Sequence, residues 1–212
     1  MLAPIPERFV FTGGATIVLY LEEILWDEVR RTLDVDCVVE IGSLRDYYRL
    51  AEQLRGVGLE EDQGKDAPLC RWRYDDLIID VMPCYESVLG FTNRWYPEAI
   101  AHRVSYSLPD GQEIWIFPPI YFLASKIEAL EGRGGDWRYS KDMEDIVLLL
   151  DGCEGLLADF AGANPEVQKF LRSWFQQNRE RLGETVCAFL PSSSEGREDL
   201  IFALLDELCR EN

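Results

Sequence analysis

Apolar and polar positions change their period several times along the chain, and each change marks an element. Residues 1–8, with Pro4 and Pro6, read as an entry arm, and Phe9-Val10-Phe11 is a short apolar lead into the turn Thr12-Gly13-Gly14. Over 15–30, Ile17, Leu21, Ile24, Leu25 and Val29 recur at helical spacing, which predicts an amphipathic helix with that face in the core. Residues 33–41 switch to a strand, with Leu33, Val35, Val38, Val39 and Ile41 as its apolar members. A second helix follows over 44–55, stopped by Gly56 and Gly58. Short strands are predicted at 59–61, 69–74 and 77–82, the last two joined by a turn at Asp75-Asp76.

The stretch 84–118 is the least decodable. Strands are expected at 104–107 and 114–117 around the turn Pro109-Asp110-Gly111. Pro118-Pro119 then opens a helix to about Leu130, because proline is tolerated in a first helical turn. The glycines at 132, 134 and 135 break it, and another helix runs from Arg138 to Leu150. Beyond Gly155 the pattern is helical, with a core stripe of Val167, Phe170, Leu171, Trp174 and Phe175 over 165–178. A linker at Pro191-Ser192-Ser193-Ser194 precedes a last helix over 199–209, carrying Leu200, Ile201, Leu204, Leu205 and Leu208. The expected organisation is a domain over 1–151 followed by a helical annex over 152–212.

Composition narrows this picture. A chain of 212 residues with 47% hydrophobic content has enough apolar side chains for one good core plus an annex. No apolar run approaches the ~20 residues of a membrane span, and no basic-then-apolar leader opens the chain, so no membrane partner and a cytoplasmic location are expected. Six scattered cysteines without a Cys-x-x-Cys pair, and a single histidine, argue against zinc and for reduced thiols. His102 is expected to be structural or superficial. The net charge of −18 suits a cationic partner, or simply solubility, better than a nucleic acid gripped through its phosphates.

Chemistry concentrates at the start of the chain. A glycine turn feeding a helix makes an anion site, because the first helical N–H groups are unpaired and the dipole is positive there. In the strand that follows, Asp34 and Asp36 stand two residues apart and therefore share a face. Acids in a core strand cost stability unless something cationic pairs them. Two carboxylates beside a phosphate-sized turn make a place for Mg²⁺ and a polyphosphate together. Asp80 interrupts the continuous apolar strand Leu77-Ile78-Ile79-Asp80-Val81-Met82 in the same costly way, which makes it a candidate third ligand or general base.

Gly13-Gly14-Ala15, then Arg31-Thr32-Leu33-Asp34-Val35-Asp36, resembles the nucleotidyltransferase superfamily, whose signature is Gly-Gly/Ser, a helix and Asp-x-Asp. The match is most like the branch that contains the AbiEii-type toxins of toxin–antitoxin and phage-abortive systems. Arg31-Thr32 stands one residue closer than the Arg-x-Thr of that branch. Leu77 to Pro83 resembles the strand of the family's third carboxylate. The run from Pro118 to Leu130 with Lys126, followed by Arg133 and Lys141-Asp142-Met143-Glu144-Asp145, resembles the branch's helical Lys and Lys-Asp-x-x-Asp motifs. The resemblance covers about 9–151, in order.

It implies an α+β (α/β) fold, a nucleotidyltransferase-like mixed β-sheet flanked by helices with a C-terminal helical segment. It also implies an enzyme that moves a nucleoside monophosphate from an NTP to an acceptor hydroxyl with two Mg²⁺ ions. Asp34, Asp36 and Asp80 would be the catalytic metal ligands. Gly13, Gly14, Thr16, Lys126, Lys141 and Asp142 would bind the nucleotide, with Arg31 and Thr32 positioning them. Asp142 and Asp145 might equally orient Lys126 or an arginine. Three classes stay open: a toxin acting on RNA, with a possible antitoxin partner; an enzyme acting on a small cationic, aminoglycoside-like acceptor; and a non-catalytic binding module. The RNA reading needs a local basic face, for which Arg71, Arg73, Arg94, Arg103, Arg133, Arg138 and Lys141 are the candidates.

Overall fold

The computed structural model describes residues 2–190 and 196–210, so the linker expected at 191–194 lies outside the described residues. The elements run β1 (Phe9–Thr12), β2 (Asp34–Val39), α1 (Leu44–Gly56), β3 (Glu60–Glu61), β4 (Arg71–Tyr74), β5 (Leu77–Pro83), α2 (Glu86–Leu89), α3 (Tyr96–Ala101), β6 (Val104–Ser107) and β7 (Glu113–Ile116). Helices follow: α4 (Pro119–Arg133), α5 (Lys141–Gly152), α6 (Leu156–Gly162), α7 (Pro165–Gln177), α8 (Arg179–Gly183) and α9 (Arg197–Cys209). Two compact units result. One comprises Met1–Thr16 and Arg31–Pro118; the other comprises Ile17–Arg30 and Pro119–Asn212. The fold class is α+β, a mixed sheet with flanking helices and a helical C-terminal segment.

In the first unit seven strands form one sheet in the order β3-β4-β5-β2-β1-β7-β6. β2 lies parallel to β5 and antiparallel to β1, and β4–β5 is a tight antiparallel hairpin. Period 2 sorts the two faces. Cys37 and Val39 of β2, Ile79 and Val81 of β5 and Trp72 of β4 form a buried cluster with Tyr47, Leu50 and Leu54 of α1. That helix starts where the Ser43 hydroxyl accepts a hydrogen bond from the Asp46 amide, a standard N-cap. Each fully buried leucine in it contributes roughly 1.5–3 kcal/mol. On the other face lie Asp34, Asp36 and Val38 of β2 with Asp80 and Met82 of β5. α3 packs on β2, and the Tyr96 hydroxyl donates to Met82 Sδ at 3.5 Å, so this face is covered toward the C-terminal end of the strands.

The helix expected over 15–30 is not an α-helix. Two 3-10 segments stand there instead, Gly14–Tyr20 and Glu23–Glu28, separated near Leu21. The run Thr16-Ile17-Val18 is β-branched, and such side chains lose rotamer freedom against the preceding helical turn. The expected spacing still names three buried residues, Ile17, Leu21 and Leu25, whereas Ile24 is 80% exposed. Gly152 gives Leu25 its room, since a Cβ there would overlap the leucine side chain.

Two helices, α2 and α3, fill the stretch that resisted decoding. They have four and six residues, too short for a 3.6 period to show. In the second unit α4 is buried continuously over 120–125, and Phe122 meets Tyr20 at 5.0 Å between ring centroids. Val167, Leu171, Trp174 and Phe175 of α7 are buried as their spacing requires, with Trp174 stacked on Trp137 at 5.3 Å. In α9, Ile201, Leu205 and Leu208 are buried but Leu200 is 70% exposed.

Candidate active site

The strand acids converge by register. Asp36 of β2 is the Cα partner of Asp80 on the parallel strand β5 and of Thr12 on the antiparallel strand β1. Asp34, one pleat earlier, is the partner of Ile78. All three carboxylates therefore leave the same face toward the N-terminal end of β2 and β5. Asp34 and Asp36 are half-buried and Asp80 is buried. The Asp36 and Asp80 charges, after burial itself, hold the Cys37 thiol well above its ordinary range, and Asp80 is the next cause after burial in pushing Cys70 up to about 12.

The glycine turn packs directly on this face. Gly13 has φ of +79°, a region that costs an L side chain, and a Cβ there would overlap the Asp36 carboxylate. The Thr16 amide and hydroxyl both donate to the Gly13 carbonyl, at 3.1 and 2.9 Å. These bonds brace the turn, and they commit the hydroxyl hydrogen that was expected to serve a phosphate. Gly14 opens a 3-10 segment of seven residues. A helix dipole contributes little here, and the argument for an anion rests on the glycine turn beside the acids. Thr32 accepts from the Asp34 amide at 3.1 Å and so fixes the start of β2, while Arg31 is exposed.

Asp80 has a partner that sequence reasoning missed. Arg71 of β4 lies opposite it in the hairpin and donates from Nε to Oδ1 at 2.9 Å and from Nη2 to Oδ2 at 2.7 Å. This fork-to-fork pairing is the strongest common form of charge-assisted hydrogen bond. It raises the arginine above its already high ordinary range, with the Asp80 hydrogen bond as the largest cause and Asp34 among the rest. The signal was present: a two-residue turn at Asp75-Asp76, with Asp75 at φ of +50°, pairs Tyr74 with Leu77 and hence Arg71 with Asp80.

The donor set was weighed against a divalent cation. Mg²⁺ is held by one or two carboxylates completed by phosphate oxygens and waters, and Asp34 with Asp36 matches that requirement. Asp80 differs, since the guanidinium already neutralises it. Among the described residues no three Asp, Glu, His or Cys side chains stand together closely enough to hold a metal ion by themselves. The residues present thus fit one cation shared with a nucleotide at Asp34 and Asp36, and they do not fit a second at Asp80.

The remaining expected residues belong to the second unit. Lys126 of α4 places Nζ 2.7 Å from Asp145 Oδ2 and 3.5 Å from Asp142 Oδ1, with its side chain only 12% exposed. Arg30 also pairs with Asp145, and lies 3.5 Å from Glu144, while Arg133 pairs with Asp142. The two aspartates, both buried in α5, are thereby neutralised from several sides, as buried carboxylates must be. Lys141 is exposed at the start of α5, where Ser140 caps the helix by accepting from the Met143 amide.

The arginines that might form a basic face are dispersed among partners. Arg73 pairs with Asp62 at 3.0 Å and Arg138 with Asp136 at 2.7 Å. Arg103 bonds the Ile100 carbonyl and lies over Trp115. His102 is exposed, with Nδ1 2.9 Å from the Glu98 carbonyl, a surface arrangement. All six cysteines are free thiols. No helix among the described residues is long and apolar enough to cross a membrane.

No family model matches this chain, and no curated protein matches it. Among solved structures it is similar to an antigenic nucleotidyltransferase-like protein from Paracoccidioides brasiliensis, at 18% identity and a TM-score of 0.48, over 91% of this chain and 90% of that one. It is also similar to the antibiotic-resistance factor ANT(2'')-Ia, at 11% identity and a TM-score of 0.47, over 86% of this chain and 89% of that one. Both neighbours are nucleotidyltransferases or like them by name. At these scores the likenesses carry no argument about chemistry.

Proposed function

We propose that this protein is an Mg²⁺-dependent nucleotidyltransferase that moves a nucleoside monophosphate from an NTP to an acceptor hydroxyl. The observation that carries the reading is the strand face itself: Asp34 and Asp36 on β2, Asp80 in register on parallel β5, and the Gly13 turn lying against Asp36 without a side chain between them. Mg²⁺ bound there would neutralise the phosphate oxygens and so favour departure of pyrophosphate. Asp34 and Asp36 would orient the α-phosphate, and Gly13 would let the backbone approach it. The acceptor oxygen forms a bond to the α-phosphorus, the bond to the β-bridging oxygen breaks in line with it, pyrophosphate leaves with that electron pair, and the hydroxyl proton passes to solvent. Most proteins of this chemistry rely on positioning and electrostatics rather than covalent catalysis, which suits a face made of carboxylates and a turn.

For the acceptor, a small cationic molecule is the better supported class. Arg71, Arg73, Arg133 and Arg138 are each ion-paired to an aspartate of their own unit, and the net charge is −18. An RNA-modifying toxin with a protein antitoxin is the second reading, favoured by the motif order alone. The experiment is a thermal-shift titration of each NTP with Mg²⁺ on the wild type and Asp34→Asn. A stabilisation that needs both metal and Asp34 is expected; the absence of any metal-dependent shift with all four nucleotides would leave a binding module in place of the enzyme.

A further inference from the structure

We propose that Arg71 takes the place of a second divalent cation at Asp80, so that the protein binds one metal ion per nucleotide instead of two. The inference rests on the proposed nucleotide site and concerns how its charge is supplied.

The hairpin builds the arrangement into the fold. A two-residue turn fixes the register, and the register sets Arg71 opposite Asp80. Period 2 then puts both on the face of Asp34 and Asp36. The guanidinium spends two of its five N–H donors on the two Asp80 oxygens, at 2.9 and 2.7 Å. The pair is drawn partly out of water, with side-chain exposures of 29% for Arg71 and 12% for Asp80, so it is less screened than a surface ion pair. An arginine does not lose its proton under any ordinary condition, and the Asp80 bond holds that proton more firmly still. The result is a permanent, planar positive charge where a carboxylate would otherwise hold a metal. A dication brought to the same oxygens would meet the guanidinium at close range. Asp34 and Asp36 offer oxygens on the same face without that fork across them, which leaves one position for an ion completed by phosphate oxygens and water. The other N–H groups of Arg71 face the same use as a metal would have: donation to phosphate oxygens as charge builds on them.

The test counts ions directly. Protein-bound Mn²⁺ is measured by equilibrium dialysis with electron paramagnetic resonance, with and without the non-hydrolysable α,β-methylene analogue of each NTP. The wild type is expected to hold one Mn²⁺ per chain in the presence of the preferred analogue. Arg71→Gln, which keeps a polar side chain but removes the charge, is expected to hold two. Arg71→Lys keeps a charge without the fork and is expected to stay at one with weaker analogue binding; circular dichroism checks the fold of both variants. Two ions on the wild type overturn the inference while leaving the nucleotide site intact, as does one ion on a folded Arg71→Gln. If no analogue brings Mn²⁺ to the wild type, the nucleotide reading itself falls and takes this inference with it.

Discussion

Replacing Gly13 by alanine tests whether the glycine turn is a cradle for Asp36 or only a turn. Two costs are separable. The first is conformational: φ of +79° costs an L residue roughly 1–2 kcal/mol. The second is steric, because the new Cβ would lie 2.8 Å from Asp36 Cβ and overlap the carboxylate oxygen beyond it. Turning the aspartate by about 30° off its rotamer to relieve this costs a further ~0.5–1.5 kcal/mol. Gly90, with φ of +81° and nothing within 4 Å of the same hypothetical atom, is the control that incurs the first cost alone. For a chain of this length each kcal/mol moves the melting temperature by roughly 2–4 °C. Gly13→Ala should therefore melt about 1–6 °C below Gly90→Ala in differential scanning calorimetry. It should also lose the Mg²⁺-dependent nucleotide shift that Gly90→Ala retains, since the displaced carboxylate no longer presents its oxygens. Equal melting temperatures, together with a wild-type nucleotide shift in Gly13→Ala, would refute the cradle.

Asp34→Asn should leave the melting temperature of the ligand-free protein within a few degrees. It should abolish the stabilisation of about 2.7 kcal/mol that a nucleotide gives at 100 times its dissociation constant, as read by thermal shift. Lys126→Met should destabilise the protein by about 3 kcal/mol in urea unfolding, because Asp145 is fully buried and keeps only Arg30 of its two cations; a normally stable variant that has lost nucleotide binding would instead assign the ammonium to the triphosphate. Burial holds the Cys70 thiol near 12 against 9.0 for an ordinary thiol. The folded state thus keeps a proton that the unfolded chain gives up, and stability present below pH 9 should fall by up to ~1.4 kcal/mol per unit between pH 9 and 12. Denaturant midpoints measured across that range check this, and a Cys70→Ala variant should show a shallower fall.

What could be read from sequence followed the range of the interactions involved. The strands at 34–39 and 77–83 were visible because alternation and apolar runs are local, and the acids within them stood out because an unpaired carboxylate in a core strand is costly. That Asp36 and Asp80 become neighbours was not visible, since the parallel pairing of β2 with β5 joins residues 44 apart through α1 and the β3–β4 segment. Arg71 opposite Asp80 lay in between: the turn at 75–76 determined it, but only if the hairpin was counted residue by residue. The 15–30 segment gave its burial correctly at Ile17, Leu21 and Leu25 and its helix type wrongly, because burial and helix type depend on different properties of the same side chains. The Lys126 cluster draws Arg30 from 115 residues away to Asp145, a pairing that no local pattern announces.

Two closely spaced aspartate pairs in this chain look alike in sequence and are treated oppositely by the fold. Asp142 and Asp145 are buried in a helix, and lysine and arginine side chains of their own unit neutralise them. Asp34 and Asp36 are half-buried on a strand face bordered by a glycine turn. A buried carboxylate that is fully paired has spent its charge on the fold, and recruiting it for a ligand would require breaking bonds worth several kcal/mol. Asp80 falls on the paired side of that division although it shares the strand face. At 4 Å and an effective dielectric of about 20, two unit charges interact by ~4 kcal/mol, so a divalent ion beside the Arg71 guanidinium would be opposed by ~8 kcal/mol. Moving the arginine aside to admit the ion would forfeit two charge-assisted hydrogen bonds, each contributing about 1.5–3 kcal/mol. The hairpin register that fixes Arg71 against Asp80 therefore does more than close the sheet edge: it decides that one of the three carboxylates answers to a guanidinium and leaves the other two to answer to a metal-bound nucleotide.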